Sequence, residues 1–235
     1  MTEPKFRPKK LTTEEIKNGC ISLYGENTEE TRLCIEQEEL RQGISMVEHY
    51  KHSATFYGSA RLKEDNPWYQ KARNIAYRIA KETGHAVLSG GGGGIMEAAN
   101  RGAYEAGGAS VGLTIQLPHE QKTNEYVKDV IPFYYFFTRR VAMSYVSEVV
   151  LFFPGGFGTY DELFELLTLK QTGRVPDISI VLVGVDFWTP LKNLVDEVMI
   201  KKYDTISEKE ANIYTITDDE DEILKIVENS KRKID

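Results

Sequence analysis

The stretch that decides the fold is Val149-Val150-Leu151-Phe152-Phe153-Pro154-Gly155-Gly156-Phe157-Gly158-Thr159-Tyr160-Asp161-Glu162. It reads as a short apolar strand, a glycine-dense turn and the opening of a helix. Its counterpart lies upstream, where Ala86-Val87-Leu88 leads through Ser89-Gly90-Gly91-Gly92-Gly93-Gly94 into a helical pattern from Ile95. Glycine lets backbone approach a ligand closely, and the free N–H groups of a helix start favour an anion. Two such turns in one chain point to a nucleotide or sugar-phosphate site. Glu162 follows Thr159 by three residues, so a carboxylate stands one helical turn from the second cradle.

Outward from these turns the rhythm is regular. Short apolar runs at Ala54–Tyr57, Ala86–Leu88, Ser110–Ile115, Val149–Phe153, Ile178–Val183 and Ile213–Ile216 alternate with helical patterns. Pro67 suits the first turn of a helix that ends at Gly84. Further helices are expected at Ile95–Glu105, Thr138–Val146, Thr159–Lys170 and Pro190–Lys201, with Thr217-x-x-Glu220 as a capping box for a last one. Alternating strands and helices, with strands that are continuously apolar, predict an α/β fold: a doubly wound parallel sheet covered on both faces. In such sheets ligands bind beyond the carboxyl ends of the strands, near the reversal of strand order. Gly58-Ser59 and the two glycine turns all fall on that edge. Residues 1–52 are read as an N-terminal arm and helical extension, and residues 53–235 as the single nucleotide-binding domain. Within the extension, 1–18 is expected to be loose. Thr28 to Tyr50 is expected to be helical, with Leu33, Ile35, Leu40, Ile44 and Val47 on its apolar face.

Composition sets further bounds. The chain has 235 residues, 41% hydrophobic content and a net charge of −7. That supports one sizeable core and provides no global basic field for nucleic acid. Arg139-Arg140 and Lys231-Arg232-Lys233 are local exceptions. No apolar run approaches the length of a membrane span. Cys20 and Cys34 belong to no CxxC pair and are expected as free thiols, which suits a reducing, cytoplasmic setting. His49, His52, His85 and His119 show no metal-ligand spacing, so no metal is expected.

The motifs leave alternatives open. The run at Gly90 fails the dinucleotide fingerprint because Ser89 stands where its first glycine belongs. It fails the phosphate-loop pattern of nucleotide hydrolases because Ile95-Met96 replace Lys-Ser/Thr. It can also be read as a tight strand–helix turn. Thr159-x-x-Glu162 is equally a capping box, which needs no function, and Asp161 and Glu165 are rival carboxylates. Arginines at a helix start oppose the macrodipole, so Arg139-Arg140 hints at phosphate or carboxylate contact. The aromatics from Phe133 to Phe137 could stack on a base or pack in the core.

Together, Gly91-Gly92-Gly93-Gly94-Ile95-Met96-Glu97-Ala98-Ala99, Arg139-Arg140-x-x-Met143 and Pro154-Gly155-Gly156-Phe157-Gly158-Thr159-x-x-Glu162 resemble the LOG (LONELY GUY) family, often labelled lysine decarboxylases. The resemblance covers about Ser53 to Met199. It implies a Rossmann-like homo-oligomer, dimeric or larger, that needs no cofactor. Such a protein hydrolyses the N-glycosidic bond of a nucleoside 5′-monophosphate, AMP or an N6-modified AMP such as a cytokinin ribotide, to free base and ribose 5-phosphate. It places the essential pair at Arg139 and Glu162. The phosphate loop falls at Gly155, Gly156, Gly158 and Thr159. Further substrate contacts fall at Ser59, Gly91, Gly92, Gly94, Met96, Asn124 and Arg140. Arg-Arg in place of Arg-Lys, and Glu97 in place of glycine, are departures that bear on substrate choice. Molybdenum-cofactor carriers resemble the same scaffold, so a non-catalytic carrier of a phosphorylated ligand is the alternative. A pyridoxal-dependent decarboxylase is a third reading, without a lysine in a recognisable Schiff-base context.

Overall fold

The computed structural model describes residues 11–50, 52–116, 122–175 and 177–230. Residues 1–10 of the expected loose arm, residues 117–121 with His119, and the basic cluster at 231–233 lie outside the described residues. Seven strands form one parallel sheet: β1 (Ser53–Tyr57), β2 (Ala86–Ser89), β3 (Ser110–Ile115), β4 (Asp129–Phe133), β5 (Val149–Phe152), β6 (Ser179–Val183) and β7 (Thr215–Thr217). Their order is β4-β3-β2-β1-β5-β6-β7, all pairs parallel. The chain moves outward from β1 to β4, returns to the other side of β1 at β5, and moves outward again. The reversal between β1 and β5 is where a doubly wound sheet opens a crevice.

The helices are α1 (Thr13–Tyr24), α2 (Glu29–His49), α3 (Pro67–Arg78), α4 (Ile95–Glu105), α5 (Phe136–Val146), α6 (Phe157–Gln171), α7 (Val185–Asn193), α8 (Glu208–Ala211) and α9 (Glu220–Asn229). π-helical turns extend α3 over Ile79–Thr83 and α7 over Leu194–Lys202. Two apolar layers sandwich the sheet. One packs Phe56, Ile75, Ile95 and Phe153 beneath α3, α4 and α9; the other packs Leu88, Phe133, Met143, Phe152 and Trp188 beneath α5, α6 and α7. Every residue of β1, β2 and β5 is buried, as a doubly covered parallel sheet requires.

Several expectations are corrected. Residues 13–24 are the ordered helix α1, started by a capping box in which Thr12 and Glu15 satisfy each other's backbone N–H. Cys20 and Cys34 are joined by a disulfide that ties α1 to α2, so the argument from free thiols to a reducing compartment falls. A CxxC search cannot find this pair, because the antiparallel meeting of two helices decides it. Asp129–Phe133 is β4, a strand the sequence reading did not include, and α7 begins at Val185, with Pro190 inside it. Asp219, not Thr217, caps α9, accepting the N–H groups of Asp221 and Glu222. The apolar face of α2 is divided: Ile35 and Met46 are buried, while Leu33 and Ile44 are exposed. No described helix is long and apolar enough to cross a membrane.

Candidate active site

Three loops meet at the carboxyl edge of β2, β1 and β5. Backbone hydrogen bonds lock them together: Phe153 N–H donates to Tyr57 O (2.8 Å), Ser59 N–H to Pro154 O (3.0 Å) and Ile95 N–H to Ser59 O (3.0 Å). The sequence thus brings Ser59, Gly90–Gly94 and Gly155–Thr159 to one crevice.

The first glycine loop is held by the protein itself. Gly94 has φ +67°, and a Cβ there would collide with the carbonyl oxygen of Ser59. A Cβ on Gly90 would collide with the Arg139 guanidinium and meet Met96 Sδ at 2.7 Å. Below the loop, Ser89 Oγ accepts the Gly91 N–H (2.9 Å) and donates to Asn100 Oδ1 (2.6 Å). Asn124 bonds this network on every side. Its amide donates to Gly92 O (2.9 Å) and Asn100 Oδ1 (3.0 Å), and its Oδ1 accepts the Tyr126 N–H (3.2 Å). Asn124 therefore sits at the crevice as a brace for the loop, with its side-chain donors engaged. Buried Asn100, central to the network, was not singled out from sequence, where an asparagine inside a helix carries no signal.

The second loop is different. Helix α6 starts at Phe157 with Gly156 as N-cap and no side-chain cap. Thr159 is thus inside the first turn and folds back over Gly155, where a Cβ would collide with it. This corrects the capping-box alternative for Thr159-x-x-Glu162. At Gly156 and Gly158 a Cβ would meet nothing within 4 Å. No packing contact demands glycine there, and the α6 N-terminus faces outward between them. Phe157, between the two, is 97% exposed, another feature the sequence pattern does not single out.

Helix α5 supplies the arginines. Arg139 is buried and donates through Nε to Leu113 O (2.7 Å), which fixes its guanidinium over Gly90. Arg140 reaches α6, pairing with Asp161 and, at 3.5 Å, with Glu165. The start of α5 is supported from α2. The buried carboxylate of Glu39 accepts the N–H of Tyr134 and of Tyr135 (3.3 Å) and the Thr138 hydroxyl (2.6 Å). A carboxylate at a helix N-terminus offsets what two nearby arginines cost there. Close packing follows, since a Cβ on Gly43 of α2 would press to 2.5 Å from Ala142 Cβ on α5.

The rival carboxylates separate. Asp161 and Glu165 are engaged by Arg140, whereas Glu162 makes no ion pair among the described residues. Arg139 acts on Glu162 through space, without a salt bridge between them. Glu162 lines a small cavity with Tyr57, Met143, Ser147 and Glu165. It is partly accessible at the surface yet crowded by protein. Burial pushes its carboxyl up to about 7, against the pull of the Arg139 charge. A carboxyl poised near neutrality beside a fixed cation is suited to proton transfer and to stabilising a developing positive charge.

Residues 96–227 match the family model described as "Possible lysine decarboxylase". The chain is 27% identical over 150 residues to the cytokinin riboside 5′-monophosphate phosphoribohydrolase LOG5 of Arabidopsis thaliana, covering 63% of this chain and 65% of that protein. It is 24% identical over 206 residues to the probable cytokinin riboside 5′-monophosphate phosphoribohydrolase LOGL6 of Oryza sativa subsp. japonica, covering 86% of this chain and 80% of that one. The chain thus spans just under two thirds of the first relative and four fifths of the second. Among solved structures, the molybdenum cofactor carrier protein of Chlamydomonas reinhardtii superposes with a TM-score of 0.55 at 21% identity, covering 75% of this chain and 96% of that one. This last likeness is one of fold.

Proposed function

We propose, from the premise that the chain belongs to the possible-lysine-decarboxylase family of LOG proteins, that it is a phosphoribohydrolase acting on a nucleoside 5′-monophosphate. AMP or an N6-modified AMP is the proposed substrate, with free base and ribose 5-phosphate as products. The observation that carries this reading is Glu162: unpaired among the described residues, raised to about 7, and one turn into the helix whose N-terminus carries two sterically unneeded glycines. In the proposed complex the 5′-phosphate lies on the N–H groups of Gly156, Gly158 and Thr159, where the dipole of α6 favours it. That remote binding places the sugar C1′ at Glu162.

The C1′–N bond breaks as positive charge builds on the ribosyl ring, and the Glu162 carboxylate stabilises that charge. Water adds to C1′ and gives its proton to Glu162, while the departing base takes a proton from solvent. Arginine stays protonated and is no proton donor. Arg139 is assigned to electrostatic contact with substrate and to holding the crevice at Gly90. Ser59 and Met96 line the same crevice. Arg140, held by Asp161 and Glu165, reaches substrate only by exchanging those partners. A homo-oligomer belongs to the proposal. Phe137, Val141 and Tyr145 lie at four-residue spacing on one face of α5, all exposed, and support it.

The test is chromatography of free base after incubation with AMP, N6-isopentenyl-AMP, GMP, CMP and UMP. Release from an adenine nucleotide supports the reading and selects the substrate. No release from any of the five refutes it and favours a non-catalytic carrier of a phosphorylated ligand, the role for which the Chlamydomonas protein is named.

A further inference from the structure

At the amino edge of the sheet, opposite the glycine loops, three groups converge that play no part in the reaction above. His52 precedes β1, His85 precedes β2 and Glu148 precedes β5, and these are the three adjacent central strands. Parallel register sets them side by side: Ala86 N–H donates to His52 O (2.9 Å) and Glu148 N–H to Ser53 O (3.2 Å). Glu148 and His85 are buried, whereas His52 is exposed. His52 Nδ1 lies 3.1 Å from Glu148 Oε2, and His85 Nε2 lies 3.4 Å from the same oxygen. Taken together, one ligand atom from each of the three lies within 4.8 Å of the others.

The hydrogen bonds around His85 assign its tautomer. The Thr83 hydroxyl donates its only proton to Ile79 O (2.7 Å), so its oxygen accepts from His85 Nδ1–H at 2.8 Å. The Nε2 lone pair is then turned toward a carboxylate oxygen, and this buried nitrogen has no hydrogen-bond partner. A neutral Nε2 facing a carboxylate oxygen in this site is met by a cation, either a proton on Nε2 that makes an imidazolium–carboxylate pair or a metal ion that all three side chains can ligate. We propose that His52, His85 and Glu148 form a binding site for a divalent transition metal, Zn²⁺ being the best match. Two neutral imidazoles and a carboxylate are a zinc donor set. With bond lengths of about 2.0–2.1 Å, tetrahedral ligands stand ~3.3 Å apart, close to the two edges at Glu148 Oε2 (3.1 and 3.4 Å), while the histidine–histidine edge, within 4.8 Å, closes as the exposed His52 ring turns toward the ion. Thr83 serves as the outer partner that fixes the imidazole, a common accompaniment of metal-bound histidine. The exposed side at His52 leaves room for water or a further ligand as the fourth position. Such an ion clamps the amino ends of three central strands.

The test is calorimetric titration of ZnCl₂ into chelator-treated, dialysed protein, with melting followed in parallel. The expected result is one Zn²⁺ per chain and a zinc-dependent rise in Tm. Affinity should fall about 10-fold or more in His52→Ala, whose exposed side chain the fold does not need, and by about 10-fold in Thr83→Val. Binding that is absent, or equally tight in wild type and His52→Ala, overturns the proposal. So does an Nε2-bound proton on His85 that persists in nuclear magnetic resonance spectra at saturating zinc.

Discussion

The two glycine loops look alike in sequence and differ in what requires their glycines. In Gly90–Gly94, the protein itself fills the space a side chain would need at three glycines, with Arg139 over Gly90, Thr114 against Gly91 and the Ser59 carbonyl against Gly94, while Gly93 meets only Ala60 O at 3.6 Å. In Gly155–Gly158, only Gly155 is pressed, by Thr159, while Gly156 and Gly158 open onto nothing within 4 Å. The first loop is a bed built by packing. The second is a surface kept clear at the N-terminus of α6, where an anion is favoured. Glycine density alone therefore does not locate a ligand; at the start of α6, glycines that packing does not require coincide with helix N–H groups that no side chain caps, and that coincidence points to an anion.

Substitutions can break or sharpen this contrast. The largest effect is expected at Gly94→Ala, which combines a left-handed φ with a backbone collision. It should cost at least ~3 kcal/mol and lower Tm by about 10 °C in a thermal melt. A variant that melts like wild type would show that the first loop is not bound by packing.

Next comes Glu162→Gln, read as stability. Because burial raises the folded pKa from 4.5 to about 7, the folded state holds its proton longer than the unfolded one. The stability this gives is fully present below pH 4.5 and is lost as pH rises through 7. The neutral glutamine avoids that loss, so the variant should be more stable at pH 8 by about 3 kcal/mol, a difference that vanishes near pH 4.5. Melts at the two pH values check it.

The smallest stability effect is expected at Gly158→Ala. Alanine suits a helix, so Tm should hold or rise by ~0.5 kcal/mol worth of stability. The same methyl group crowds the proposed phosphate, and KM for the nucleotide should rise about 10-fold, the scale of one hydrogen bond to a charged group. A lowered Tm with unchanged KM would reverse the assignment of the two loops.

Much of this was legible in the sequence, and the losses have physical causes. The central strands are continuous apolar runs bounded by glycine, so β1, β2, β3 and β5 emerge within a residue or so. β4 was missed because Asp129 and Pro132 interrupt it, and an edge strand tolerates proline that a central strand would not. Pro190 displaced the start of α7 because it mimics a first-turn proline. The candidate crevice was legible because its parts lie just after strands, where local pattern suffices. The roles of Asn100 and Glu39, the Cys20–Cys34 disulfide and the meeting of His52, His85 and Glu148 depend on which distant segments become neighbours. No spacing rule encodes that. Local pattern also suggests the Thr159 capping box, which the earlier start of α6 removes.

The central claim is that an ionised Glu162 drives glycosidic cleavage of a nucleotide seated on the α6 N-terminus. Its most direct test is the pH profile of base release from AMP between about pH 5 and 9, for wild type and Glu162→Gln. The expected result is a wild-type kcat/KM that rises with pH and levels off near 7, following the Glu162 pKa. The variant should be folded and at least ~100-fold slower, with that inflection gone. Equal rates in the two proteins, or an unchanged inflection in the variant, would contradict it.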